Sequence, residues 1–172
     1  LILSNVNYVK KVVFPLEILP WVTMGAALFH ALISLVVWLI AYGACFGVPP
    51  VSLVALPLVI VPLILFIMGL SWWLASLGVF LRDVAQFIGV ITMTMMFLSP
   101  IFYPATALPE EYRSFLFMNP LTPAIEQARQ VLFWGNMPDY KLLAIYTLAA
   151  AAVAWCGFAW FQKTRKGFAD VL

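Results

Sequence analysis

The sequence predicts an all-α membrane protein, a polytopic bundle of transmembrane helices. Three observations predict it: an extreme apolar composition, uncharged stretches long enough to cross a bilayer, and basic residues confined to the segments between and beyond them. Of the 172 residues, 65% are hydrophobic and 9% are charged, with a mean hydropathy of +1.05, whereas a soluble domain carries about 25% charged residues. No water-soluble fold of this length could hide so much apolar surface, so the bilayer is the solvent. The net charge of +2 is small and its carriers sit in short groups towards the chain ends, with no basic stripe, which excludes a nucleic-acid-binding surface.

A helix needs about 20 apolar residues to cross a hydrocarbon core about 30 Å thick. Four stretches qualify: 21–47, where His30 is the one ionisable group besides a cysteine and a tyrosine, then 51–81, 84–102 and 142–161, which hold no charged residue. A charge at mid-membrane costs about 2.5 to 3.5 kcal/mol on insertion scales, which gives these gaps in charge their meaning. Gly47, Pro49 and Pro50 punctuate the first hairpin, and Arg82 with Asp83 marks the second. The first two spans exceed a perpendicular crossing and must tilt, project or bend, with Pro57 and Pro62 favouring a bend in the second. Ahead of the spans, Ser4 to Pro20 (SNVNYVKKVVFPLEILP) mixes Lys10, Lys11 and Glu17 with apolar residues and is broken by Pro15 and Pro20. It suits a surface element leading into a span, and residues 1–20 are set apart from a membrane domain over 21–172.

Orientation follows the positive-inside tendency. Lys10 and Lys11 precede the first span, Arg82 lies in the second hairpin, and Lys163, Arg165 and Lys166 follow the last span, so with four spans all three places share one face. Both ends of the chain are therefore expected in the cytoplasm and the loop 103–141 outside. Cys45 and Cys156 then lie towards opposite faces, too far apart for a disulfide, whose Cα atoms sit about 4 to 7 Å apart. Leu1 is not a methionine and no signal-peptide pattern follows it, so the chain reads as truncated at its front.

The external loop carries two helix signatures. Pro109, Glu110 and Glu111 suit a helix N-terminus and Asn119 with Pro120 its end. Thr122 is expected to cap a second helix with Pro123 at its first position and Gly135 at its C-terminal side. Ile125, Ala128 and Leu132 give this second helix an apolar face, too short to cross the membrane. Two short re-entrant or interfacial helices are expected here.

Catalytic constellations are absent from the pattern. His30 is the only histidine, Ser99 has no base partner in sequence, and one histidine with two separated cysteines cannot supply a zinc site. His30 reads as a packed or helix-bridging polar residue. No G-x-x-x-x-G-K-[ST] loop occurs, so any ATP-driven step needs a separate subunit. Trp38, Tyr42, Trp72, Trp73, Phe97, Phe102 and Tyr103 either line a path for sugar rings or form interfacial belts and lipid-facing bulk. Met93, Met95 and Met96 read as adaptable packing, and Gly43 with Gly47 as a weak helix-contact pattern.

Three segments carry a family resemblance: the run from Asn5 to Pro20, VFLRDVAQFIGVITMTMMFLSPIFYP from Val79 to Pro104, and NPLTPAIEQARQVLFWG from Asn119 to Gly135. In that order they resemble the permeases of type-two ABC exporters that move O-antigen, capsule or teichoic-acid polymers. The resemblance covers nearly the whole chain and corresponds to the C-terminal two-thirds of a six-span protein. Leu16 departs from it, standing where many relatives place a basic residue. The resemblance implies an inner-membrane permease homodimer with two ATP-binding subunits, a lipid-linked polysaccharide substrate, and no cofactor of its own, ATP being held by the partner. It also implies a coupling element over Asn5, Asn7, Lys10, Lys11, Pro15 and Glu17, a second cytoplasmic contact at Arg82 and Asp83, and an external gate built from the short helices. From their place near the external mouth, Phe102, Tyr103 and Trp134 are the expected gate or polysaccharide-path residues, the alternative being interfacial anchors. Competing expectations are a permease of the same architecture for a drug or small lipid, and an intramembrane enzyme, for which no catalytic set is visible.

Overall fold

The computed structural model describes residues 15–81, 83–107 and 109–168. These residues form α-helices joined by short 3-10 turns, with no strand among the described residues. Helix α1 (Leu19–Cys45) is entered through a 3-10 turn at Leu16–Ile18 and has Pro20 in its first turn, where a missing N–H leaves nothing unpaired. Gly47, at φ 89°, reverses the chain after α1, a left-handed conformation that a side chain would strain. Helix α2 (Leu56–Phe80) follows a 3-10 turn at Val51–Ala55. Pro57 falls in its first turn and costs it no hydrogen bond, so Pro62 is the one interior proline.

The third expected span is shorter than its sequence suggested. Helix α3 (Val84–Leu98) has 15 residues, a rise of about 22 Å against a core of about 30 Å. It stops at Ser99, which is extended (φ −85°, ψ 143°), because the ring of Pro100 disfavours a helical residue before it. Among the described residues three helical segments are long and apolar enough to span a membrane, Leu16–Cys45, Val51–Phe80 and Tyr140–Gly167, while Gln86–Leu98 is a shorter apolar helix. Helices α4 (Glu110–Met118) and α5 (Thr122–Arg129) occupy the segment expected to hold short helices, and α5 runs on as a π-helical turn over Gln130–Trp134 to Gly135 at φ 71°. Helix α6 (Tyr140–Thr164) opens with Asp139 accepting from the backbone N–H of Lys141 (2.9 Å) and Leu142 (3.2 Å), an N-cap on a free helix end.

The closest helix pairing is α2 against α6, made possible by glycine on both sides. A Cβ on Gly157 would sit 2.1 Å from the carbonyl oxygen of Gly69, and one on Gly69 would sit 2.6 Å from the backbone of Val153. Lipid tails are as apolar as the side chains, so helix association in a bilayer depends on such close van der Waals fit. At one end of this pair Leu19, Met24, Met68, Trp72, Val79, Phe161 and Phe168 form one core cluster; Leu56, Val59 and Val131 form another towards the other end. Helix α1 buries only Leu19, Pro20 and Met24, and the described side chains of α3 are partly or fully exposed. His30 is exposed beside the ring of Phe29, not packed as expected. Cys45 and Cys156 are free thiols.

Candidate functional site

Two polar assemblies sit at opposite ends of the α2–α6 pair. At the end where α1 begins and α6 finishes, Arg165 Nη1 donates to both carboxylate oxygens of Glu17, at 3.1 Å each. The carbonyl of Glu17 accepts from the Trp72 indole N–H at 3.1 Å, and Ser76 shares a 2.6 Å hydrogen bond with Thr164. Edge-to-face contacts of Trp72 with Trp21 and Phe158 hold that indole in place. The entry to α1 is thereby tied both to α2, at Trp72, and to the end of α6. Of the residues expected to form a coupling element, Pro15 starts the entry turn, exposed, and Glu17 is at the centre of this assembly. Asp83 is exposed and contributes its carbonyl, accepting from the N–H of Gln86 and Phe87, to the first turn of α3. Asn5, Asn7, Lys10, Lys11 and Arg82 lie outside the described residues.

At the other end a network of largely buried groups fastens the short helices to the end of α3. Ser99, fully buried, donates to the carbonyl of Met95 (2.6 Å) and accepts from Asn119 Nδ2 (2.8 Å), while Asn119 Oδ1 accepts from the Leu121 N–H (3.0 Å). Glu126 accepts from the Ala105 N–H at 2.9 Å and from Arg129, and Arg129 also donates to the carbonyls of Pro100 and Ile101. The Glu126–Arg129 spacing places both on one helix face, and the cation lies in the last turn of α5 where the helix dipole favours it. Arg129 thereby satisfies the carbonyls that the Ser99–Pro100 break leaves without helical partners. Gln127 Oε1 accepts from the Asp139 N–H ahead of α6 (2.8 Å), and Ser52 donates to the Val131 carbonyl in the last turn before Gly135 (2.7 Å).

Thr122 does not cap α5. It is the first helical residue and its hydroxyl is buried without a hydrogen-bond partner, and the turn ahead of it is closed instead by the Asn119 side chain on Leu121 N–H. The expected gate aromatics are not gathered into one cluster: Phe102 and Trp134 are exposed, Tyr103 is partly buried, and no ring pair joins them. The aromatics that do meet at this end are Trp38 with Tyr42 (centroids 4.9 Å apart), Tyr42 with Phe46 (5.3 Å) and Trp38 with Phe133 (5.5 Å, edge to face). Phe133 was not singled out in sequence, and its neighbour Trp134 was. A π turn adds a residue to the helical repeat and so changes which of these two equally exposed rings meets Trp38, and the helical period gives no notice of it.

The sequence model of the family described as "ABC-2 type transporter" matches residues 1–133. Two proteins of Klebsiella pneumoniae, each called "O-antigen export system permease protein RfbA", are 27% and 28% identical over 99% of this chain and 66% of their own length. A protein of Myxococcus xanthus with the same description is 24% identical over 95% of this chain and 64% of its own length. The chain thus spans slightly under two-thirds of these relatives.

Proposed function

Because the chain belongs to the ABC-2 type transporter family, we propose that it is the membrane permease part of an exporter that moves lipid-linked polysaccharide of the O-antigen type out across the cytoplasmic membrane. The observation that carries this reading is the similarity, over 95–99% of the chain, to three proteins described as O-antigen export permeases. Its partners on this reading are a separate ATP-binding subunit, which holds the nucleotide, and a second copy of the permease. The end bearing Glu17, Arg165 and the basic residues faces the cytoplasm, and the short helices face outward.

In this reading the segment over Asn5, Asn7, Lys10, Lys11, Pro15 and Glu17, with Arg82 and Asp83, meets the ATP-binding subunit. The Glu17–Arg165 pair and the Trp72 hydrogen bond to Glu17 pass a displacement of that segment into α2 and α6. Those two helices, locked backbone to backbone at Gly69 and Gly157, carry it as one body to the outer end. There Ser52 and Gln127 link them to α5, and Arg129 and Asn119 link α5 to the end of α3. Motion at the cytoplasmic face thus reaches the segment bearing Phe102 and Tyr103 and the helix end bearing Trp134. A sliding polymer needs many weak contacts and no tight site, and aromatic faces offer contact area without buried polar groups left unpaired.

The experiment is co-purification of the full-length permease with its ATP-binding subunit, followed by export in a strain lacking its own permease. Charge reversal of Lys10 and Lys11 should weaken the complex and stop export while insertion stays normal. An intact complex with wild-type ATPase rate and export in the reversed variant refutes the coupling role. A wild-type complex that extrudes a small lipid but no polymer refutes the substrate.

A further inference from the structure

Helices α1 and α2 meet in one core cluster near the start of α1, and further along α1 the single side chain of Leu35 reaches the second cluster of Leu56, Val59 and Val131. Leu19 and Met24 of α1 join Met68 and Trp72 of α2 in one core cluster, and Leu28 and Ile64 pack against its edge. Beyond that floor the helices part around a crevice of about 800 Å³, with α5 and its π turn closing one side and the edge-to-face pair of Trp38 and Phe133 at the far end. That volume lies within the range of about 300–1,000 Å³ typical of ligand sites. The described residues lining it carry no charge, and Ser34 is the one hydroxyl among them.

We propose that this crevice holds one hydrocarbon chain of a phospholipid drawn from the leaflet on the side of the short helices. Depth decides the occupant. From Leu28 to Trp38 the crevice follows ten residues of α1, about 15 Å of rise, which is half of a core about 30 Å thick. A leaflet chain entering at the Trp38 level ends where Leu28 and Ile64 close the floor. A docked transmembrane helix needs a surface through both leaflets, and the cluster around Met68 and Trp72 has already closed the groove over the other half. An uncharged lining matches an uncharged chain. Trp38, Tyr42 and Phe46 at the open end form the aromatic level at which a headgroup would lie. The chain is a filler of fixed length that props α1 away from α2 and holds Phe133 in place. The inference requires a bilayer but does not depend on which face is cytoplasmic or on what is exported.

The test uses the full-length permease with its ATP-binding subunit in vesicles of phosphatidylethanolamine and phosphatidylglycerol doped with a phosphatidylethanolamine carrying a diazirine in its acyl chain. After illumination, labelled peptides are mapped, with Val36 and Ile40, exposed on α1 outside the crevice, as the reference for ordinary lipid contact. Crevice residues should be labelled above that reference. Ala31→Phe, which fills the cavity from α1, should bring them down to it, and Ser34→Phe should do the same, so that a folding failure of one variant leaves the other to decide. Labelling of crevice residues no higher than the reference in the wild type overturns the proposal, as it would if another protein segment or a second copy filled the space. Labelling by a diazirine-bearing isoprenoid phosphate but not by the phospholipid overturns it as well.

Discussion

Replacing Gly157 by alanine should do more damage than alanine at any other glycine inside a helix of this chain. The new Cβ would stand 2.1 Å from the carbonyl oxygen of Gly69 and 2.8 Å from its carbonyl carbon, while ordinary contact begins near 3.4 Å, so α2 and α6 must part by about 1.3 Å there. Both groups in conflict lie on helix backbones, and no side-chain rotation relieves them. Separation by this much forfeits a quarter to a half of the dispersion well, or more, for each contact along the seam, and overpacking of this kind costs about 1–3 kcal/mol. With the backbone as the obstacle the value should fall at the upper end, about 3 kcal/mol. The assay is reversible unfolding of the purified protein in mixed micelles titrated with a denaturing detergent, read by far-UV circular dichroism. Gly25→Ala is the control, since nothing lies within 4 Å of its added methyl; it should be neutral or slightly stabilising, as alanine is the better helix former. If Gly157→Ala unfolds within about 0.5 kcal/mol of wild type, the range of an ordinary surface change, the reasoning that these two backbones are in contact is wrong.

Arg129→Gln should leave the Pro100 and Ile101 carbonyls and the Glu126 carboxylate short of a donor, lowering stability by about 1.5–3 kcal/mol, the worth of hydrogen bonds to charged groups. Limited proteolysis should then cut within 99–109 at rates that the wild type does not show, and unchanged protection there would argue against the clasp. Glu17→Gln breaks an ion pair whose side chains are 26% and 42% exposed, so unfolding should shift by less than about 1 kcal/mol, while export coupled to ATP hydrolysis falls. Equal coupling in wild type and variant would leave the pair without a transmitting role. Single cysteines at Glu111 and Lys166, in a protein lacking Cys45 and Cys156, should react with an impermeant thiol reagent from opposite faces of the membrane, and labelling of both in intact cells would refute the orientation. Tyr103→Ala and Trp134→Ala should insert and bind the ATP-binding subunit normally yet change polymer export; wild-type export by both would make these residues anchors.

Composition and the uncharged runs made the helical membrane architecture legible, because burial in lipid leaves its mark on every residue of a span. The helix ends were legible where local chemistry sets them, with Pro109 ahead of α4 and Gly135 after α5, whereas Pro20, read as a break ahead of the first span, lies inside the first turn of α1. Thr122 misled because its hydroxyl is an equally good cap by type, and only the placement of Asn119 decides which side chain closes the turn. Ser99–Pro100 was readable as a break, yet apolar residues on both sides masked its consequence, that α3 ends four residues before the hydrophobicity does. The Glu126–Arg129 pair was visible as two charges in a loop, and its role was not, since its partners at Pro100, Ile101 and Ala105 lie 21 to 29 residues away in the chain. Long-range backbone acceptors of this kind leave no periodicity to read.

The short, lightly packed α3 and the dense clasp at its C-terminal end explain one another. A helix of 15 residues whose apolar side chains, such as Phe87, Val90, Ile91 and Phe97, are exposed along its length gains little from its neighbours in this chain. Its position must then be set at its ends. One end hangs on the turn at Asp83, and the other is fixed by Ser99, Asn119 and Arg129, whose hydrogen bonds, screened from water, are stronger than exposed ones would be. A helix held this way has little packed seam to break, whereas α2 and α6, in backbone contact at Gly69 and Gly157, cannot move apart without losing theirs. Close packing is therefore found where glycine faces glycine, and Gly89 of α3 faces no such contact among the described residues. Any displacement of the C-terminal end of α3 has to break these hydrogen bonds, so α5, though too short to cross the membrane, fixes where that end lies.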